Sequence, residues 1–289
     1  MENISAVIVV KNNPSFLFKT LDSINDLVDE VIIVDIGINK NIINQLKKYQ
    51  KVKIVPIKES VPYVEIIREK TKMFAKNDYV FFLDPDEVVS SDLKKIIKDN
   101  LLSFDYFKIP RKNFIFGRWI KHSRWWPDYQ IRVFKKNKVF WPNKIHQQPK
   151  VSGRGFEIEA KEEYALIHYN YQNLDEYLDK SLRYAKNEAK EIFGEKKVLT
   201  FSETVKKALN EFISRYFAAE GYKDGIQGLI LAFLQMFYYF LVYFYYLEMK
   251  KFETNEKIDE GEFFKQGLKE VIHWKKEKNI KEKIIKKIL

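Results

Sequence analysis

VFFLDPDEVVSSDL, residues 80 to 93, sets an unbroken apolar run directly against Asp84, Asp86 and Glu87. An apolar run that stops at turn residues reads as a strand buried on both faces, and in open α/β sheets ligands collect beyond the carboxyl ends of such strands. The three acids are therefore expected to face a ligand. The same texture recurs upstream. ISAVIVV (4 to 10) is a β-branched run, and Pro14 then stands where a first helical turn tolerates it, ahead of Leu17, Leu21 and Ile24 at helical spacing. EVIIVD (30 to 35) reads as a second strand, followed by Gly37 and a helical stretch to about Tyr49; KVKIVPI (51 to 57) is a third. Residues 63 to 75 read as helix, YVFFL (79 to 83) as the fourth strand, and Ser90 or Ser91 can cap a helix through LKKII. The alternation βαβαβαβ predicts an α/β fold built on a mostly parallel sheet with helices on both faces.

From about 104 to 170 the texture changes to short aromatic and basic strands, FDYFKIPR, NFIFGRWIKH, YQIRVF and KVFW, which predict an antiparallel extension. From 173 the pattern is helical, with Asn173 as the cap before LDEYLDKSLRYAKNEAKEIF. GIQGLILAFLQMFYYFLVYFYYL (225 to 247) then runs without a charge, and a lysine-dominated tail reaches Leu289. The expected organisation is a domain over 1–172 and a helical region over 173–289.

The 289 residues are enough for a full core, and 46% hydrophobic with 16% aromatic residues exclude a disordered chain. The absence of Cys excludes disulfides and thiolate metal sites, so any metal sits on oxygen or imidazole. A net charge of +11 calls for an anionic partner: nucleic acid, an acidic membrane or a phosphorylated substrate. MENISAVIVVKNNPS runs straight into a strand without a signal-peptide pattern, so this part is expected to stay in the cytoplasm.

LDPDE carries the strongest chemical signal. Carboxylates at i and i+2 beyond a strand end can share a divalent cation and a nucleotide, because hard oxygen ligands suit Mg²⁺ or Mn²⁺ bridging diphosphate oxygens. Such a metal stabilises the charge on a leaving diphosphate. An acidic turn that caps the next helix is the alternative for an isolated D-x-D.

NISAVIVVKNNPSFLFKTLDSI, VDEVIIVDIG, YVFFLDPDE and WWPDYQIRVF, in that order, resemble family 2 glycosyltransferases of the GT-A fold, nearest to the branch that extends lipopolysaccharide core and related glycans. The resemblance covers roughly residues 1 to 185. It implies a Rossmann-like mixed sheet and a UDP-linked nucleotide-sugar donor, with Lys11, Asn12 and Asp35 lining the nucleotide pocket. It implies Arg68 near the nucleotide, with Glu69 where the branch usually carries Asn. Asp84 would meet ribose or metal, and Asp86 would be the main metal ligand. His168 would complete the metal site. The usual D-G-S-x-D after the second strand is here DIGINKN, which leaves the nucleotide's identity open.

Within that resemblance WWPDYQIR supplies the acceptor side. An inverting transferase needs a base for the acceptor hydroxyl's proton, and Asp128 beside aromatic sugar platforms fits it. Trp125 and Trp126 would stack on acceptor sugars, Gln130 would hold Asp128 or a hydroxyl, Arg132 would meet phosphate, and His146 would lie near the acceptor. Trp119 and Trp141 read as core. The alternative is a turn aspartate between two packed tryptophans.

The 23 uncharged residues of 225–247 are long enough to span a bilayer, but their five tyrosines and Gln235 suit an interfacial helix better. Lysines at 250, 251 and through 275–287 would meet anionic headgroups, placing the enzyme peripherally on the inner face of the cell membrane and its acceptor, glycan or lipid-linked, at that surface. A buried helix or a homo-oligomer through the C-terminal helices is the competing reading. Three other functions stay in view. A nucleotidyltransferase would ordinarily carry a glycine-rich loop after the first strand, and VVKNNPS has none. A nucleic-acid binder would show a recognised module, and none is present, so nucleic acid is not the expected partner. An inactive scaffold of the same fold would accommodate DIGINKN.

Overall fold

The computed structural model describes residues 3–59, 61, 63–142, 148–254 and 260–274. They form two compact units, 1–114 with 127–170, and 115–126 with 171–289. The expected single cut after 172 is not where the chain divides: residues 115–126 leave the first unit and pack with the second.

In the first unit the strands and helices follow in chain order. They are β1 (Ile4–Asn12), α1 (Leu17–Ile24), β2 (Glu30–Ile38), α2 (Lys40–Leu46), β3 (Val52–Pro56), α3 (Arg68–Lys72), β4 (Tyr79–Leu83), β5 (Glu87–Val88) and α4 (Ser91–Asn100). Next come β6 (Tyr106–Ile109) and β7 (Arg111–Ile115), then β8 (Arg118–Trp119) of the second unit. The first unit resumes with β9 (Gln130–Lys135), β10 (Val139–Phe140), β11 (Lys150–Val151), β12 (Gly155–Glu157) and β13 (Leu166–Tyr171). The stretch expected as one helix over 63–75 is a 3₁₀ turn, Val64–Ile67, leading into the five-residue α3.

The main sheet has the order β12-β6-β9-β4-β1-β2-β3. β4, β1, β2 and β3 pair in parallel, while β9 runs antiparallel to both β4 and β6, so the sheet is mixed, as expected. All five residues of β4 are buried because helices cover both faces of the sheet. Phe81 belongs to the core beneath α1 and α4, Phe82 to the opposite core with Phe134, and each such side chain contributes about 1.5–3 kcal/mol by leaving water.

Two pairings position the site. β5 runs antiparallel to β13, setting His168 opposite Glu87, and the Tyr169 amide donates to the Asp86 carbonyl at 2.9 Å. β6 sets Ile109 opposite Gln130, and the Arg111 amide donates to the Asp128 carbonyl at 3.1 Å. Two segments distant in sequence are thereby clamped against the loop that follows β4.

The second unit holds α5 (Leu174–Gly194), α6 (Phe201–Ile213), α7 (Gly225–Met249) and α8 (Glu260–Trp274). Asn173 caps α5 as expected, accepting from the Glu176 amide at 2.9 Å. α6 passes into a π-helical turn, Ser214–Ala218, and α7 packs against both α5 and α6. The basic tail over 275–287 lies outside the described residues.

Ser90 is the cap of α4: its hydroxyl accepts from the Leu93 amide at 3.1 Å and donates to the Glu163 carbonyl at 2.6 Å. Ser90→Ala is expected to cost about 1 kcal/mol, read as a lower urea midpoint at unchanged slope. An unchanged midpoint would show that the cap does not hold this helix.

Candidate active site

Beyond β4 the acids of LDPDE part company. Glu87 is fully buried and turns inward, its carboxylate accepting from the Asp84 amide at 2.9 Å and from Arg111 at 3.2 Å. Arg132, 1% exposed, stands between Asp84 and Glu87 and donates from one nitrogen to both. Arg68 and Arg111 approach Asp84 at 3.8 and 3.9 Å. Burial by itself would raise the Asp84 pKa, but Arg132, Arg68 and Arg111 outweigh it and hold the carboxyl far below its usual range. For Glu87 burial wins and the pKa rises.

This corrects three expectations. Glu87 does not face a ligand; it is the inner partner of a buried ion pair. Arg132 is not available to an acceptor phosphate, because the antiparallel β9 delivers its side chain beneath the loop. Asp84 is already compensated by three guanidinium groups and is not an anionic ligand left for a cation. Arg68 lies in the same cluster, its guanidinium stacked 4.8 Å from the Trp141 ring, and Trp141 packs on the core as expected. Glu69, at the position of the expected Asn, takes the Lys72 ammonium at 2.7 Å and the Trp141 amide at 2.9 Å, so it is structural.

Asp86 takes the other direction. Its Oδ1 lies 3.6 Å from His168 Nε2, and His168 Nδ1 meets Asn113 Oδ1 at 2.6 Å. The Asn113 amide nitrogen donates to Asp128 Oδ2 at 3.1 Å, which fixes its oxygen toward His168 and makes Nδ1 the protonated ring nitrogen. In the neutral ring Nε2 then presents a lone pair to Asp86. Two electron-rich atoms facing each other in this way could share a divalent cation. Among the described residues no group of three or more His, Asp or Glu side chains could hold a metal.

Asp128 is gripped from three sides. Arg111 Nε donates to its Oδ2 at 2.9 Å, Asn113 to the same oxygen, and the Gln130 amide to Oδ1 at 2.9 Å, so Gln130 does hold Asp128. Burial pushes its pKa up, but the Arg111 charge and these three donors hold it below the ordinary carboxylate range. Arg111 and Asn113 were not singled out from the sequence. The only signal was a run of three polar residues, Arg111, Lys112 and Asn113, opening β7, and such a run does not say what each of them meets.

The remaining candidates scatter. Lys11 and Asn12 are exposed at the end of β1, with Asn12 in the left-handed region at φ 57°. Asp35, at the second strand's carboxyl side, spends Oδ1 on the amides of Gly37 and Ile38 at 2.8 and 2.7 Å. Gly37, at φ +117°, takes a backbone conformation that residues with a side chain rarely adopt. In the second unit Trp125 packs into the core around Ile115, Ile120 and Tyr177, under the Arg215 guanidinium at 5.5 Å. Trp125, half-buried, thus spends part of its ring on that core. Trp126 meets Trp119 edge to face at 5.3 Å, and both are half-buried, so Trp119 is not the core residue expected. His146 lies outside the described residues.

The model of the family described as Glycosyl transferase family 2 matches residues 5–154. The chain is similar to an uncharacterized glycosyltransferase of Rickettsia felis, 24% identical over 253 residues that make up 81% of this chain and 87% of the relative. It is similar to a second, from Rickettsia typhi, 24% identical over 251 residues, 81% of this chain and 84% of that one. Among solved structures it is similar to S. aureus TarS 1–349, at 15% identity and a TM-score of 0.43, with 94% of this chain and 80% of that one covered.

Arg132→Met should be strongly destabilising, by about 3–5 kcal/mol in chemical denaturation, because it leaves Asp84 and Glu87 without their buried partner. A loss within about 0.5 kcal/mol, the ordinary size for a surface residue, would contradict the buried ion pair.

Proposed function

The chain belongs to glycosyl transferase family 2 and is a glycosyltransferase, and from that premise we propose that it moves a sugar, with inversion, from a uridine-type nucleotide donor to a hydroxyl of a glycan or lipid-linked acceptor. The observation that carries the proposal is the bridging by Asn113. Its oxygen meets His168, which faces Asp86, and its nitrogen meets Asp128. One side chain thereby fixes the distance between a diphosphate-binding pair and a base, which is what a displacement at an anomeric carbon requires.

The residues that would hold Mg²⁺ or Mn²⁺ are Asp86 and His168. When bound, the cation supplies positive charge to the leaving diphosphate. Asp128 accepts the acceptor hydroxyl's proton as the new bond to the anomeric carbon forms and the bond to the diphosphate oxygen breaks. Gln130, Asn113 and Arg111 keep its carboxylate oriented and ionised. A carboxylate of lowered pKa is a weak base toward a free alcohol. It suits a transfer in which the proton leaves late, once attack has made the hydroxyl acidic. Lys11, Asn12 and Asp35 stand at the carboxyl ends of β1 and β2, where the nucleotide would lie. The lipopolysaccharide-core branch, suggested by WWPDYQIRVF, gives the acceptor class and remains part of the proposal.

Asp86→Ala should abolish cation-dependent binding of UDP in calorimetry while leaving the melting temperature nearly unchanged; retained affinity would remove Asp86 from the metal role. Asp128→Asn should preserve donor affinity and slow turnover by about 10²- to 10⁴-fold. Collapse of donor binding along with turnover would place Asp128 in the nucleotide site.

The depressed Asp128 pKa also fixes a sign. Its contribution to stability is fully present above the unfolded carboxyl value of about 4 and is lost as pH falls through the lower folded value. The stability gap between the wild type and Asp128→Asn should therefore narrow below about pH 4 and stay constant above about pH 5. A gap that closes near neutrality would contradict the ionised Asp128.

A further inference from the structure

Helix α7 is apolar on both faces. Its inner face puts Leu231, Ala232, Val242, Tyr243 and Tyr246 into the core of the unit, and its polar side chains find partners there: the Gln227 amide donates to the Phe116 carbonyl at 3.2 Å, the Gln235 amide to the Tyr177 hydroxyl at 2.6 Å, and the Tyr238 hydroxyl to Glu188 at 2.6 Å. A second set of large apolar side chains turns outward, with Ile226, Ile230, Phe233, Phe237 and Phe244 exposed by 68, 40, 47, 43 and 45%. Spacings of four, three, four and seven align these five on one stripe, about 27 Å long at 1.5 Å per residue. Phe212 lies 4.7 Å from the Phe233 ring and extends the apolar surface toward Phe217, 49% exposed. A surface helix of a water-soluble bundle carries charged and polar residues on the face opposite the core. The run Gly221–Met249 is long and apolar enough to cross a bilayer, and only 22% of its most apolar 18-residue window is buried. A contiguous exposed patch of this size marks an interaction surface.

We propose that this stripe rests in the interface of an anionic lipid bilayer, with the axis of α7 parallel to the membrane plane. Spanning is opposed by the neighbours of α7. α5 and α6 pack along it, and the Glu188 carboxylate bonded to Tyr238 would be carried to the hydrocarbon centre. Charge selects the lipid. Lys250 and Lys251 follow the helix directly, the stretch 275–287 carries seven more lysines against two glutamates, and the chain's net charge is +11. A second copy docked on the same face would bring like charges together, whereas acidic headgroups complement them. Glu248, exposed on the same face, ends the stripe and keeps the apolar contact to the Ile226–Phe244 length. The proposal does not depend on the reaction assigned above.

The test is co-sedimentation of the full chain with vesicles of phosphatidylcholine alone and with one third phosphatidylglycerol, at low and high salt. The comparison is the double variant Phe233→Gln/Phe237→Gln, whose two sites are exposed so that folding, checked by far-UV circular dichroism, is retained. Binding to the anionic vesicles at low salt is expected. It should weaken by about tenfold at high salt and by about tenfold or more in the double variant. Wild-type protein that stays in the supernatant throughout would overturn the proposal, as would equal binding by the variant. A wild-type dimer that the variant converts to monomer would assign the stripe to self-association instead. Bound protein released only by detergent, and not by alkaline wash, would show insertion across the bilayer and overturn the in-plane arrangement.

Discussion

The site of the first unit depends on one buried guanidinium. Arg132, 1% exposed, bonds Asp84 and Glu87 together, and without it two carboxylates side by side would depend on the longer approaches of Arg111 and Arg68. An uncompensated charge in that position costs several kcal/mol, more than a turn of this length recovers from packing. Once Arg132 and Arg111 have satisfied the inner acids, Asp86 is the member of LDPDE directed elsewhere, toward His168. The geometry of the outer, reactive carboxylate is thus a consequence of how the inner ones are paired.

The same interactions set a limit on the chemistry. Every donor that orients Asp128 also favours its ionised form, so orientation and base strength work against each other. The cluster resolves this in favour of orientation: Asp128 is held ionised, and in the role of base proposed above its efficiency would rest on position. Asn113 does the corresponding work for His168, fixing the ring tautomer through Nδ1 so that Nε2 faces Asp86. A single amide side chain can do both because its two ends are opposite in polarity.

The second unit makes both faces of α7 apolar. Gln227, Gln235 and Tyr238 find their partners inside the unit, where leaving them unpaired would be expensive, and Leu231, Val242, Tyr243 and Tyr246 fill the core on that same side, while Phe233, Phe237 and Phe244 are left outward. Hydrogen-bond satisfaction and hydrophobic burial thus agree on which face of α7 looks in. Neither accounts for the apolar residues on the other face.

Much of the architecture was legible from the chain alone. The four apolar runs became β1, β2, β3 and β4 within a few residues, Ser90 and Asn173 cap the helices they were expected to cap, and the uncharged run became one continuous helix. Periodicity and capping are local, so the sequence states them directly. The roles inside the site were less legible. Asp86 with His168 and Gln130 with Asp128 fall together, but Arg132 was misplaced, and Arg111 and Asn113 were passed over. Arg132 meets acids 48 and 45 positions earlier in the chain, and Arg111 meets Asp128 17 positions later. Side-chain type announces that a charge exists; whether it faces water, a ligand or a buried partner is decided by strand pairing and register, here β9 against β4 and β5 against β13, which only the tertiary structure determines.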